Sequence, residues 1–497
     1  MATQIAPTVT PTMIGNVFAL LRHRQRSLLK SSRANPGLAM LALTAILYFW
    51  IGRLRSGKKA PPRGKSVPHL KTRFFMLDVA YQYIKARSEG DELKWVQALS
   101  KQGLTLTTEV VGHCLILAFE PSSVQHMLVK NFENYPKGPA FHKAFFPFMG
   151  TGIFNSDGAA WKNQRALARP HFQVTEYKGA AHIETQINQV FDCVNALGVP
   201  QNKFVHAFNY TQKICGWKVR LCDYQALVPS FEFPQKVKDM DTVLLPIVDS
   251  AIARETKRHA EAVEGEENEH SHDNLLAHFL NSVDENGQPF DRIYLRDMLM
   301  NFLLAGRDTS TNLLTFMCYN LGKHPEVMDR LREEIFSVVG RDRKPDHEDI
   351  KKLKFLKQVI NETLRLYPAV PFNIKTCLED DVLPNGYFIP KGSLVVHSSY
   401  VTHRMKEYWG EDAEEFDPDR WGPERVKMVR PFMFFPFHAG PRICLGQNFA
   451  YNQAMNTMVR VMQKYTWKVV EGFEPKPESD ITMYSRNGMQ IIFDHYQ

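Results

Sequence analysis

The chain has 497 residues, 61 Lys and Arg against 53 Asp and Glu, a formal charge of +8, and 44% hydrophobic residues. This apolar content, with 23% charged residues, excludes a disordered, collagen-like or disulfide-stapled chain and supports a large core. At roughly 150 residues per domain the length suggests about three domains, with one large enzyme domain as the alternative.

Charge is unevenly placed. Residues 1–65 hold eleven Lys and Arg and no acidic residue, so the remaining 50 basic and 53 acidic residues leave the rest of the chain at −3. The surplus belongs to the N-terminus, where it suits anionic lipid headgroups and gives no reason to expect nucleic-acid binding. From Ala34 to Gly52 nineteen residues pass without a charge. At about 1.5 Å per helical residue such a stretch just spans a bilayer core. Tyr48, Phe49 and Trp50 suit an interfacial aromatic belt, and no small-residue cleavage site follows. The expected organisation is a basic extension over 1–33, a transmembrane anchor over 34–52, a basic proline-containing hinge over 53–67, and a catalytic domain over 68–497. Five basic residues before the span and six after it leave orientation open on charge alone.

The seven cysteines are scattered without a CxxC pair, so neither a disulfide framework nor a zinc ribbon is expected. Beyond the hinge, the acidic run Glu261 to Asn274 reads as a solvated loop. Asp291 to Lys323 runs without proline, with Leu299, Phe302, Leu303 and Leu304 at helical spacing, and predicts a long, mostly buried helix. Helical patterns follow at Pro325 to Val339 and Asp349 to Leu366, while Asp381 to Val396 alternates like short strands. The fold class expected is mainly α (α+β) with a minor β-sheet component. No GxGxxG or GxxxxGK[ST] element is present, so the chain offers no nicotinamide or phosphate loop of its own.

One cysteine stands apart. Phe437-His438-Ala439-Gly440-Pro441-Arg442-Ile443-Cys444-Leu445-Gly446 surrounds Cys444 with two glycines and a proline just before an apolar helical pattern. Glycines let backbone N–H groups approach the sulfur and a following helix N-terminus favours thiolate, the form that can ligate iron. The segment resembles the FxxGxRxCxG haem-binding signature of the cytochromes P450 at Phe437, Gly440, Arg442, Cys444 and Gly446. Three further motifs occur in family order. Glu362-Thr363-Leu364-Arg365 resembles the ExxR helix, whose charges the family buries with an arginine of a PxRx segment, here Arg420. Ala305-Gly306-Arg307-Asp308-Thr309 is similar to the distal-helix motif in which an acid and an alcohol, here Asp308 and Thr309, guide protons to bound oxygen. Trp161 and Arg165 match the WxxxR helix, whose side chains bind haem propionates together with Arg442. The chain departs from the pattern at Lys375, where many relatives carry a propionate-binding arginine; lysine binds a carboxylate as a point charge and cannot fork.

The resemblance spans Pro68 to the C-terminus and implies the cytochrome P450 fold as one domain, with haem b held noncovalently through Cys444. Ala305 stands where animal fatty-acid ω-hydroxylases carry the glutamate that links covalently to haem. The resemblance further implies NADPH and flavins supplied only through NADPH-cytochrome P450 reductase, cytochrome b5 as a further partner, and single-pass residence in the endoplasmic reticulum membrane with the catalytic domain facing the cytosol. Lys351, Lys352, Lys354 and Lys357 are the candidate reductase contact. Gly152 to Gly158, AGRDTS and Gly440 to Gln447 look like the fungal alkane and fatty-acid hydroxylase branch. Phe145, Phe146, Phe148, Leu303, Leu304, Ala305, Val370 and Phe372 are the candidate pocket for a small apolar substrate, or else core packing. Two other readings remain: a P450 isomerase or dehydratase acting on a peroxide without external electrons, and a haem-free binding relative. Asp308 with Thr309 speaks against the first, and intact Cys444, Glu362, Arg365 and Arg420 against the second.

Overall fold

The computed structural model describes residues 63–70, 77–110, 113–173, 203–221, 225–226, 228–261 and 275–496. The expected anchor at 34–52 and most of the acidic run lie outside these residues; among the described residues no helix is long and apolar enough to cross a membrane.

Helices dominate: α1 (Leu77–Glu89), α2 (Glu92–Ser100), α3 (Pro139–Met149), α4 (Gly158–Gln173), α5 (Lys203–Arg220), α6 (Phe233–Glu261), α7 (Leu275–Leu280), α8 (Arg292–Lys323), α9 (Pro325–Val338), α10 (His347–Lys352), α11 (Lys354–Leu366) and α12 (Gln447–Lys464). The principal sheet has the order β1-β2-β6-β3, from β1 (Thr105–Val110), β2 (His113–Ala118), β3 (Phe372–Thr376) and β6 (Leu394–Ser398). Between β3 and β6 lies the small pair β4 (Asp381–Val382) and β5 (Phe388–Ile389). After α12, β7 (Tyr465–Val469) pairs with β10 (Ile491–His495), and β8 (Pro477–Ser479) with β9 (Met483–Ser485) forms a hairpin.

Helix α8 is the axis. It begins where the sequence reading places it, because Asp291 caps it by accepting the Tyr294 N–H at 2.7 Å. Its C-terminal half packs Leu313, Met317 and Leu321 against α9, α11 and α12. Its N-terminal half packs Met300 and Leu304 against Phe145 and Phe148 of α3 and Phe208 of α5. Polar groups fix its register to the loop before α4: Asp297 accepts the Thr151 N–H at 3.1 Å and Asn301 the Phe154 N–H at 3.0 Å.

The helix expected over Asp349 to Leu366 is two, broken at Leu353. No glycine or proline marks the break. Glu334 of α9 accepts the N–H groups of Phe355 and Leu356 at 2.7 and 2.9 Å, so a distant carboxylate caps a new helix start.

Gly150 sits at φ +54, where a Cβ would land on the Asp297 carboxylate. Gly150→Ala therefore forces the loop off α8, and a destabilisation of roughly 2 kcal/mol or more is expected in thermal or denaturant unfolding of the purified protein. An unchanged midpoint would refute the packing argument.

Candidate functional site

The Cys444 loop is held by its own backbone. Gly440 takes φ +68, and a Cβ there would collide with the Leu128 carbonyl. The Cys444 N–H donates to the Phe437 carbonyl at 2.9 Å, closing the turn, and α12 begins three residues after the sulfur. Phe437 packs on Tyr451 with ring centroids 5.4 Å apart. Gly446 keeps a small gap beside the sulfur, since its Cβ would stand 4.0 Å from Sγ and 3.7 Å from Phe172. The thiol is exposed in area yet hemmed by protein on most sides. Burial raises its pKa, opposed by a hydrogen bond from the Gly446 backbone and by the charge of Arg165.

The segment before this loop hangs on a buried triad. Arg365 donates Nε and Nη2 to Glu362 at 2.8 and 2.7 Å, a bidentate pair that solvent does not reach. Arg420 Nε reaches the same carboxylate at 3.4 Å, Trp421 Nε1 donates to it at 3.0 Å, and so does the Asp417 N–H at 3.0 Å. The remaining Arg365 donors close on the carbonyls of His403, Ala413 and Glu415.

Beside the Cys444 loop lies a cationic cluster. Trp161, on α4 and almost buried, lies under the Arg442 guanidinium at 4.3 Å, with Arg165 at 5.9 Å from the same ring. Arg165 donates to the Ile443 carbonyl at 2.7 Å, tying α4 to the loop. Arg442 pairs with Asp157 and donates to the Ser156 carbonyl at 2.9 Å. Asp157 also accepts the N–H groups of Lys137 and Gly138 and the imidazole of His142, at 3.2, 3.1 and 2.7 Å. These bonds hold its pKa down to about 2 against the effect of burial. Lys375 on β3 is completely buried with its Nζ unpartnered, and burial, Lys137 and Arg442 push its pKa far down. Burial also draws Lys137 down to about 8 and Arg442 to about 10.

On α8, a Cβ at Gly306 would meet nothing within 4 Å, so helix backbone is open there. Thr309 was expected to face bound oxygen; its hydroxyl donates back to the Ala305 carbonyl at 2.6 Å. The Asp308 carboxylate turns to Arg307 at 3.1 Å and to the Thr482 hydroxyl at 3.4 Å, and burial raises its pKa. Of the candidate pocket residues, Phe145, Phe148 and Leu304 are core, Leu303 packs at the edge of that core, Ala305, Val370 and Phe372 are half-buried, and Phe146 is exposed. Lys137, Asp157, His142 and Thr482 were missed by the sequence reading. Asp157 stood four residues before Trp161, but nothing local says that it collects four donors.

A family model described as Cytochrome P450 matches residues 72–212 and 197–492. The chain belongs to the cytochrome P450 family. It is 31% identical to cytochrome P450 86B1 of Arabidopsis thaliana, over 75% of this chain and 76% of that one. It is 29% identical to cytochrome P450 52A13 of Debaryomyces hansenii, over 86% and 91%. It is 30% identical to cytochrome P450 monooxygenase himC of Aspergillus japonicus, over 93% and 89%. The fold superposes on the haem domain of cytochrome P450DA with a TM-score of 0.72 at 20% identity, covering 88% of this chain and 98% of that one. The protein is accordingly a P450 monooxygenase, and the family's cofactor is haem b with a thiolate on iron.

The residues present fit that group. The cations of buried Lys375 and of half-buried Lys137 and Arg442 are answered within the cluster by the single carboxylate of Asp157, with Glu133 adding a weaker pull on Arg442. Lys375 Nζ and Arg442 Nε have no hydrogen-bond partner. Buried donors in this state call for an anion, and two propionates would supply it. Glu362→Gln keeps the shape but leaves Arg365 buried without a countercharge and Arg420 with Asp412 alone, 3.0 Å away. A loss of about 3–5 kcal/mol is expected, read as a lowered Tm and poor haem retention; a wild-type Tm would contradict the role of the triad.

Proposed function

We propose that this protein is a membrane-anchored haem-thiolate monooxygenase that inserts one oxygen atom of O2 into an apolar substrate: a long-chain alkane, a fatty acid or a hydrophobic xenobiotic. The observation that carries the reading is the pairing of an exposed cysteine thiol with unpartnered buried cations on the flank of one loop. In this reading Cys444 would ligate the haem iron, and Arg442, Lys375, Arg165 and Trp161 would hold the propionates. When bound, haem supplies iron that activates dioxygen with two electrons from outside the chain.

The chain's own part in the reaction is to position groups and to hold a proton. Burial raises the pKa of Asp308, so its carboxyl takes up a proton more readily than an exposed one, and Arg307 limits that rise. Thr309 commits its hydrogen to the Ala305 carbonyl and so offers oxygen lone pairs to a water beside open Gly306. Asp308 can then feed a proton to that water, a general acid role one solvent molecule removed. Ala305 carries no carboxylate, which supports noncovalent haem.

Electrons come from a separate reductase in this reading, taken as NADPH-cytochrome P450 reductase with cytochrome b5 as a further donor. Lys351, Lys352, Lys354 and Lys357 are exposed along α10 and the start of α11, with Lys351 paired to Glu348 at 2.7 Å, and remain the proposed contact. The uncharged run 34–52 and the basic flanks support an anchor in the endoplasmic reticulum membrane with the catalytic domain in the cytosol. Resemblance to the fungal alkane and fatty-acid branch supports the substrate class.

Microsomes carrying the protein and a reductase, fed fatty acids, alkanes, terpenoids and aromatics, should oxidise the long apolar chains with NADPH consumed in step. Oxidation confined to terpenoids would overturn the substrate class, and peroxide isomerisation without NADPH would overturn the reaction. Thr309→Ala should raise hydrogen peroxide formed per NADPH by about tenfold or more, since one positioned proton-transfer group contributes at least that factor. Unchanged coupling would remove Thr309 from the proton path.

A further inference from the structure

Two histidines stand behind Lys375 that neither the motifs nor the reaction account for. His397 lies on β6, the strand beside β3, and in the register Lys375 faces Val395. Side chains two apart on a strand share a face, so His397 and Lys375 emerge on the same side of the sheet as diagonal neighbours. His397 is completely buried, and neither Nδ1 nor Nε2 has a hydrogen-bond partner. His403 is equally buried but satisfied: its Nδ1 lies 3.2 Å from the Arg365 carbonyl, and its Nε2 accepts the Phe435 N–H at 3.0 Å. An imidazole has a donor and an acceptor to satisfy in its neutral form, and a sealed core does not normally leave both open.

His438 comes from the Cys444 loop. It takes φ +63, a left-handed conformation that glycine adopts freely and a side-chain-bearing residue enters at a cost. Its Nδ1 is 2.9 Å from the Ala439 carbonyl, which fixes the proton there, and its ring lies 5.5 Å from that of His397 at 62°. Burial pushes the pKa of both rings down, and the charges of Lys375 and Lys137 push them further the same way. A lysine in place of a forked guanidinium can direct only single N–H bonds at a carboxylate and leaves acceptor sites unfilled.

We propose that His397 donates a hydrogen bond to the carboxylate that Lys375 binds, that this carboxylate is a haem propionate, and that His438 is a positioning residue holding the His397 ring. The proposal rests on the haem reading above. The shared chemistry is a carboxylate, which a fatty-acid substrate also carries, so the test separates the two sources.

Holoenzyme carrying His397→Leu should release haem to excess apomyoglobin about tenfold faster or more, the factor a lost hydrogen bond to a charged group is worth. Its reduction potential should fall, because a less neutralised propionate favours the ferric state, and a merely structural change has no reason to move it that way. His397→Gln, which keeps a donor, should restore both values towards wild type. Glycine is relaxed at φ +63, so His438→Gly should fold and shift both values in the same direction by less. Wild-type release and potential in His397→Leu, or no recovery in His397→Gln, would overturn the proposal. So would a weakened fatty-acid Kd with unchanged alkane Kd and unchanged haem release, which would give the carboxylate to substrate. An intact carbon monoxide difference band in the variants confines any of these failures to His397; its absence in the wild-type protein would instead strike the haem-thiolate reading.

Discussion

The Glu362 carboxylate is the constraint on which the site depends. It receives five hydrogen bonds, from two nitrogens of Arg365, from Arg420, from the Trp421 indole and from the Asp417 backbone. A carboxylate and two guanidinium groups out of water are tolerable only when every donor and acceptor is met. Meeting them requires α11 to sit against the turn at Pro418–Trp421 and against the carbonyls of His403, Ala413 and Glu415. Cys444 lies in the segment that leaves this arrangement, and its place follows from it. The triad thus converts a costly burial into a fixed position for one sulfur.

A second electrostatic device works in the opposite sense. The triad is complete within the protein, whereas Lys375 Nζ, Arg442 Nε and the His397 ring nitrogens are buried atoms without hydrogen-bond partners. Asp157 gathers Arg442, His142 and two backbone N–H groups, and so holds Arg442 in place without exhausting it. A finished network gives rigidity, and an unfinished one next to it gives affinity for an anion. The long helix α8 links both: its lower half belongs to the core around α3 and α5, and its middle carries open Gly306 with Asp308 and Thr309.

Much of this was legible in the sequence where chemistry is local. Asp291 as a helix start, the long α8, the ExxR pair and the cysteine loop all announce themselves through spacing, capping or glycine placement. Features that arise when distant segments meet were not. The break at Leu353 depends on Glu334, some twenty residues away. Lys137, Asp157 and His397 acquire meaning only when the loop before α3, the loop before α4 and strand β6 converge on Arg442 and Lys375. The back-bonding of Thr309 has no signal of its own in the sequence, because a threonine in a helix has a carbonyl four residues behind it whatever its catalytic use. Phe145 and Phe148 had two readings, and their burial against Phe208 places them in the core.

The central claim is that Cys444 ligates haem iron as thiolate. The most direct measurement is the carbon monoxide difference spectrum of the reduced protein and of its Cys444→Ser variant. The account predicts the red-shifted Soret band of a thiolate-ligated haem in the wild-type protein and its loss in the variant. A wild-type protein that binds haem without that band, or a variant that retains it, would contradict the account.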